Sequence, residues 1–319
     1  MRTAPPWPAR AAERFTGPAV LLIFIAGALV VPQLTDRRDT ITLLFLVFLY
    51  IALAQSWNLL AGYAGQINLG HAAFFGVGAL VTRDLWTKED VPFAAAFLAG
   101  GGAAVLFALA VGIPTFRLRG IYFAIGTLAM AEALRITVSN LRPQVTALPA
   151  QALATYDLEP RYYLALGLAV CTVLVAFILP RTRLSLGILA VREDEEAAEA
   201  SGVNALAHKL AALVLSSFFA GLAGGTFAFY HVSYYPDRPF FPIWTFDAVL
   251  ATFIGGVGTL AGPIVGATFF IVVRDRLAVE VQEVHQAIFG LLFILVVLML
   301  PGGLVEAWSR ARRLLRRTR

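Results

Sequence analysis

Six polar side chains fall within seventeen residues of an otherwise apolar run: Gln55, Ser56, Asn58, Gln66, Asn68 and His71. A polar group in hydrocarbon is costly unless it pairs or faces water, so six exceed what helix packing needs. Neutral amides and an imidazole suit a polar or zwitterionic solute better than an ion requiring a ring of charge. His71 alone carries little weight, because a buried, hydrogen-bonded histidine is an ordinary structural feature. No second histidine lies at i+3 or i+4, so no metal site is implied. Glu132 and Arg135 are one helical turn apart and can pair. They read as an interfacial pair toward the outer end of their helix, and Asp247 and Asp275 read as flanking apolar stretches. A proton-coupled carrier generally needs a carboxylate deep in a span, and none is evident. The GxxxxGK[ST], GxSxG and HExxH patterns are absent, so nothing marks this chain as an ATPase, hydrolase or metalloprotease.

The second chemistry-bearing segment is the charged loop 181–209. It holds five acids within seven residues, Glu193 to Glu199, in Ala- and Glu-rich sequence that favours helix. Gly202 fits a helix stop. A short amphipathic helix there, exposed at a membrane surface, is suited to docking in a groove on a soluble partner.

These segments must be positioned by membrane-spanning helices. Of 319 residues, 59% are hydrophobic and only 14% charged. Mean hydropathy is +0.77. Charge-free stretches cover 15–35, 40–82, 91–116, 162–180, 210–236, 248–273 and 284–305. A span needs about 20 apolar residues. As one helix, 40–82 would extend about 65 Å at ~1.5 Å per residue, so it must turn back, near Gly62–Gly65. Spans are expected at about 18–34 (read as an uncleaved first helix), 41–60, 66–82, 92–114, 120–139, 161–180 and 210–230. Residues 83–91 are expected as a loop. The segment 254–263, IGGVGTLAGP, is expected to bend 247–274 into two short helices, with Gly255, Gly256 and Gly258 shaping the bend. The fold class is therefore all-α polytopic membrane protein, a single domain over 1–319 with about 8–10 transmembrane helices, some short or broken.

The net charge of +5 comes from the ends, with Arg2, Arg10 and Arg14 at one and six arginines in 310–319 at the other. Such residues mark the cytoplasmic side and meet anionic lipid, not nucleic acid. Both termini and the charged loop are accordingly placed in the cytoplasm, and the aromatic loop 231–246 outside. Cys171 is the only cysteine and lies in an apolar span, which excludes an intramolecular disulfide.

Glu196-Ala197-Ala198, three residues and then Gly202 match an EAA-x-x-x-G pattern of importer permeases. The runs GYAGQINLGHAAFFGVGAL, VREDEEAAEASGVN, KLAALVLSSFFAGLAGG and GGVGTLAGPIVGA follow one another in family order. Over roughly 40–300 the chain resembles the LivM-type permeases of branched-chain amino acid importers. The resemblance implies a permease subunit, not an enzyme, paired with a second LivH-type permease on two cytoplasmic ATPase subunits that bind ATP and Mg. A periplasmic or lipid-anchored solute-binding protein would deliver solute, in a bacterial inner membrane. It implies coupling to the ATPases through Arg192, Glu193, Asp194, Glu196, Ala197, Ala198 and Gly202 in a helix over 192–202. Candidate pathway residues are Asn58, Gln66, Asn68 and His71, with Gly255, Gly256 and Gly258. The family also takes urea, short amides and aromatic acids. An autonomous secondary transporter is the competing class.

Overall fold

The computed structural model describes residues 28–34, 37–280, 290, 294, 298 and 302–308. Most of the expected first span, most of the last apolar stretch and the basic tail lie outside the described residues. The helices are α1 (Arg38–Ala64), α2 (His71–Thr87), α3 (Phe93–Thr115), α4 (Ile121–Leu141), α5 (Ala150–Ala154), α6 (Leu158–Ile178), α7 (Arg183–Glu193), α8 (Glu195–Ala200), α9 (Ala205–Tyr230), α10 (Ile243–Gly255) and α11 (Ala261–Glu280). A two-residue antiparallel pair joins β1 (Thr146–Ala147) to β2 (Ser233–Tyr234). Among the described residues, five segments are long and apolar enough to cross a membrane: α1, α3, α4, Leu158–Arg181 and α9. The protein is an all-helical multi-pass membrane protein.

The bundle has two ends. One carries the α1–α2 turn and the charged loop; the other carries the loops after α2, α4 and α9. The α1–α2 turn falls where the 43-residue apolar stretch required it. Gly65 ends α1 in the left-handed region at φ 70°, its N–H donating to Leu60 O. Only glycine adopts that conformation without strain. In α1, 83% of the most apolar window is buried, against 28% in α4, so α1 is the core helix and α4 an edge helix. α9 packs on α1, α2 and α3 through small residues. A Cβ on Gly78 would overlap the Gly221 carbonyl, and one on Gly224 the Phe75 carbonyl. Such close approach provides the attraction that apolar side chains cannot supply in lipid.

The expected bend in 247–274 is present. α10 and α11 form an antiparallel helical hairpin, with Gly255 packed on Gly262 and Gly266 on Ala251. Gly256 (φ 125°) and Gly258 (φ 72°) supply conformations that other residues rarely adopt.

Several expectations are corrected. The third span starts at His71 rather than 66, because 65–70 form the turn. It continues to Thr87, so Arg83 is not in a loop. Arg83 is buried and donates to the carbonyls of Ala228, His231 and Val232 at the end of α9. Those carbonyls have lost their helical partners, which is why a guanidinium is tolerated there. α9 begins at Ala205 rather than 210, since Asn204 caps it by accepting from Ala207 N–H. The helix expected over 192–202 is two helices broken at Asp194. Its carboxylate accepts from Ala197 N–H, so it starts a helix instead of continuing one. Asp247 lies inside α10 and is buried rather than flanking. Glu132 is not toward the end of its helix: about 16 Å of α4 precede it and about 13 Å follow.

Candidate functional site

The charged-loop end holds a chain of contacts running from the loop into the bundle. Thr182 caps α7 through its hydroxyl, and Asp194 caps α8. Val191, Ala198 and Ala205 form a small apolar cluster that fixes the two short helices against α9. Lys209 Nζ, from α9, donates to Glu195 Oε2 at 2.5 Å. Gly202, at φ 86°, turns the chain back. Glu193, Asp194, Glu196, Ala197 and Gly202 are exposed, whereas Ala198 is buried. Glu196 makes an exposed pair with Arg119 Nη1 at 3.3 Å, worth little in stability and easily exchanged.

Arg192 points the other way. Its Nη1 donates to Gly62 O at 2.7 Å, and its stem packs against Gly65. One turn earlier in α1, Asn58 is fully buried. Asn58 Oδ1 accepts from Gly258 N–H at 2.6 Å, and its Nδ2 donates to Thr259 O at 3.1 Å. Asn58 thus clasps the tip of the α10–α11 hairpin, satisfying backbone groups that the break leaves open. Gly62 makes this possible: a Cβ there would overlap Asn58 Oδ1 and sit 2.7 Å from Gly258 Cα. Gly302 and Gly303 lie against the same tip. Loop, α1 terminus and hairpin tip are therefore one contiguous unit.

The remaining sequence candidates are placed unevenly. His71 is buried at the start of α2 with Nε2 2.9 Å from Ser56 Oγ. Its Nδ1, the Asn68 Nδ2 and both amide atoms of Gln55 are buried without a hydrogen-bond partner. Asn68 Oδ1 accepts from Gly70 N–H, holding the turn. Trp57 Nε1 donates to Asn68 O at 2.8 Å. Gln66 is half-buried in the turn, its side-chain amide donating to Ala64 O and its backbone N–H to Leu60 O. Asn58 and the hairpin glycines are brought together; Asn68 and His71 gather around Ser56 and Trp57; Gln66 stands apart.

Sequence reasoning missed a triad that joins the same hairpin to α1, with Tyr50 and Asp247 buried and Arg274 partly exposed. Asp247 Oδ2 accepts from Tyr50 OH at 2.8 Å and from Arg274 Nη1 at 3.0 Å. Arg274 Nη1 also donates to Tyr50 OH at 3.2 Å. Asp247 and Arg274 are 27 residues apart, which a helical hairpin closes. A charge inside each of two facing apolar stretches is the signal that could have found the pair. Thr252 Oγ1 donates to Ala54 O, so the hairpin is fastened to α1 at Tyr50 and Ala54 along α10 and at Asn58 at its tip.

The architecture and this unit define a helical permease-type membrane protein, with a broken hairpin held inside the bundle. The family model described as branched-chain amino acid transport system / permease component matches residues 40–297. The chain belongs to that family. It is 28% identical over 90% of its length to the high-affinity branched-chain amino acid transport system permease protein LivM of Escherichia coli K12, covering 73% of that protein. The corresponding LivM of Salmonella typhimurium LT2 is also 28% identical, with the same coverages. The probable branched-chain amino acid transport permease protein LivM of Methanocaldococcus jannaschii is 22% identical over 84% of this chain and 93% of its own. No solved structure matches it.

Proposed function

We propose that this chain is the membrane-spanning permease subunit of an ATP-driven importer for branched-chain or related hydrophobic amino acids. The observation that carries the reading is the family match over residues 40–297. In this reading the chain is a single permease domain in a bacterial inner membrane with both termini in the cytoplasm. A second, LivH-type permease completes the pathway, two cytoplasmic ATPase subunits bind ATP and Mg, and a periplasmic or lipid-anchored binding protein delivers solute.

The exposed acidic face of α7–α8 is the surface offered to the ATPases, with Glu193, Asp194, Glu196 and Ala197 in contact. Ala198 holds α8 to the bundle, Gly202 turns the chain into α9, and Arg192 transmits the displacement. A shift of α7–α8 pulls on Gly62 O, displaces the last turn of α1 and so loads the Asn58 clasp on the hairpin tip. Coupling between distant sites is carried by packed side chains, hydrogen bonds and rigid elements that have two discrete arrangements. The hairpin, held at Asn58 and at the Asp247–Arg274 pair, is the element that changes between outward-open and inward-open states. Asn68 and His71 sit beside that element as the polar groups nearest the solute's exit, and Gln66 stands apart in the α1–α2 turn.

A mild-detergent pull-down of the tagged chain from its native membrane tests the assembly. Recovery of a second permease and one or two P-loop ATPases is the expected result. A chain recovered alone, stable and monodisperse, contradicts it.

A further inference from the structure

The edge helix α4 carries ionised groups where an edge helix should not. Glu132 and Arg135 form a bidentate pair, with Arg135 Nε to Glu132 Oε2 at 2.8 Å and Nη2 to Oε1 at 2.5 Å. Arg135 Nη1 also lies 3.8 Å from Asp237 Oδ2, and its guanidinium sits over the Phe241 ring at 4.9 Å. The Glu132 side chain is 37% exposed and that of Arg135 23%. A half-exposed ion pair near the middle of a spanning helix is stable only against water or protein, not against lipid tails. Tyr122, Ile125, Ala129, Ala133, Ile136 and Asn140 form the exposed stripe of α4 beside it.

Toward the aromatic end the same surface opens into a cleft of about 450 Å³, lined by Ser139, Arg142, Tyr235, Asp237, Arg238 and Phe241. That volume is in the range of small-molecule sites. The cleft offers both signs of charge within one apolar-walled space. Asp237 shares Arg135 with Glu132, and Arg142 pairs with Asp84. Arg238 is exposed and pairs with no carboxylate among the described residues. The Tyr235 and Phe241 rings supply the apolar wall.

We propose that this cleft receives an aliphatic amino acid in its zwitterionic form and that the Glu132–Arg135 face below it lines the outer half of the translocation pathway. The inference rests on the importer reading above, which faces this end of the bundle outward. The α-carboxylate meets Arg238, the α-ammonium meets Asp237, and the side chain lies on Phe241 and Tyr235. A guanidinium binds a carboxylate bidentately, and a carboxylate binds an ammonium with charge-assisted hydrogen bonds. A solute lacking either head charge would leave one of these groups unanswered.

The test uses the assembled transporter in proteoliposomes, without binding protein, with Ser139→Cys introduced into a Cys171→Ala background. A membrane-impermeant thiosulfonate reagent should label Cys at position 139. Leucine at ten times its dissociation constant should slow labelling about tenfold. Isoamylamine and 4-methylpentanoate, which each lack one head charge, should not. Asp237→Asn and Arg238→Gln should each abolish protection, read as the ratio of each variant's labelling rates without and with leucine. Equal protection by leucine and isoamylamine overturns the proposal. So does labelling indifferent to leucine. ATP-driven leucine uptake by the unsubstituted complex with its binding protein is measured in parallel. Its absence condemns the importer reading, whereas uptake with an unprotected Ser139→Cys condemns only this site.

Discussion

Replacing Asp247 with Asn should destabilise the hairpin by about 3 kcal/mol. The carboxylate is the counter-charge of Arg274 at 3.0 Å and the acceptor of Tyr50 OH at 2.8 Å. Its side chain is 10% exposed, that of Arg274 36%. Removing one partner of a buried pair costs about 3–5 kcal/mol, because a charge is left without an answer. Arg274 reaches some water, so the lower end applies. Asn still accepts from Tyr50, so the loss reports the charge rather than the shape. Arg274→Gln in the same chain removes the orphaned guanidinium, and the double variant should lie only about 1 kcal/mol below the unsubstituted protein. The cycle then gives a coupling energy of about 2 kcal/mol or more, well above the few tenths seen for independent sites. Thermal unfolding of the purified complex, followed by loss of the monodisperse species, reads this directly. For a chain of 319 residues a 3 kcal/mol loss lowers the midpoint by roughly 4–5 °C. An Asp247→Asn midpoint within about 1 °C of the unsubstituted protein, or strictly additive single variants, would refute the reasoning.

Three further outcomes follow from the same geometry. Asn58→Ala leaves Gly258 N–H and Thr259 O at the hairpin tip without partners, costing about 2–4 kcal/mol for two lost hydrogen bonds; hydrogen exchange at 256–260 should accelerate while α6 is unaffected. Glu196→Lys should leave the chain in the membrane at its normal level but uncouple uptake from ATP hydrolysis, and full uptake in that variant would remove Glu196 from the coupling surface. Burial first, then the neighbouring Arg83 and Arg238 charges, hold the His231 imidazole below its ordinary value despite its hydrogen bond to Phe227 O. The unfolded state therefore takes up the proton first. The stabilisation is present above about pH 6.5 and declines as pH falls below it. Thermal midpoints between pH 7.5 and 5.5 should fall less in His231→Gln than in the unsubstituted protein, and parallel curves would contradict this assignment.

Much of the architecture was legible because the signals are local. A 43-residue apolar stretch cannot be one helix, and Gly65 ends it where the backbone needs a left-handed residue. The IGGVGTLAGP segment likewise announces its own bend. Asp194 misled for a local reason too: within a helix-favouring run, its side chain stabilises a new helix start more than the old helix's continuation. Long-range pairing was not legible. The expected bend could have paired Asp247 with Arg274, but nothing in the sequence joins either to Tyr50, a relation that depends on the hairpin lying beside α1. Asn58 was chosen as a polar group in a spanning helix, but its role as a clasp on residues two hundred positions away exists only in the fold. Arg83 shows the same limit: its neighbours in sequence suggest a loop, while its partners are carbonyls in and just beyond the last turn of α9.

The central claim is that this chain transports amino acids as the driven subunit of an ATP-dependent complex. The most direct measurement is uptake of radiolabelled leucine into proteoliposomes holding the chain with its co-purified permease and ATPases, supplied with binding protein and ATP. The account predicts uptake that requires hydrolysable ATP and every subunit and is indifferent to dissipation of ion gradients. Uptake by this chain alone, driven by a proton or sodium gradient and unchanged without ATP, would contradict it.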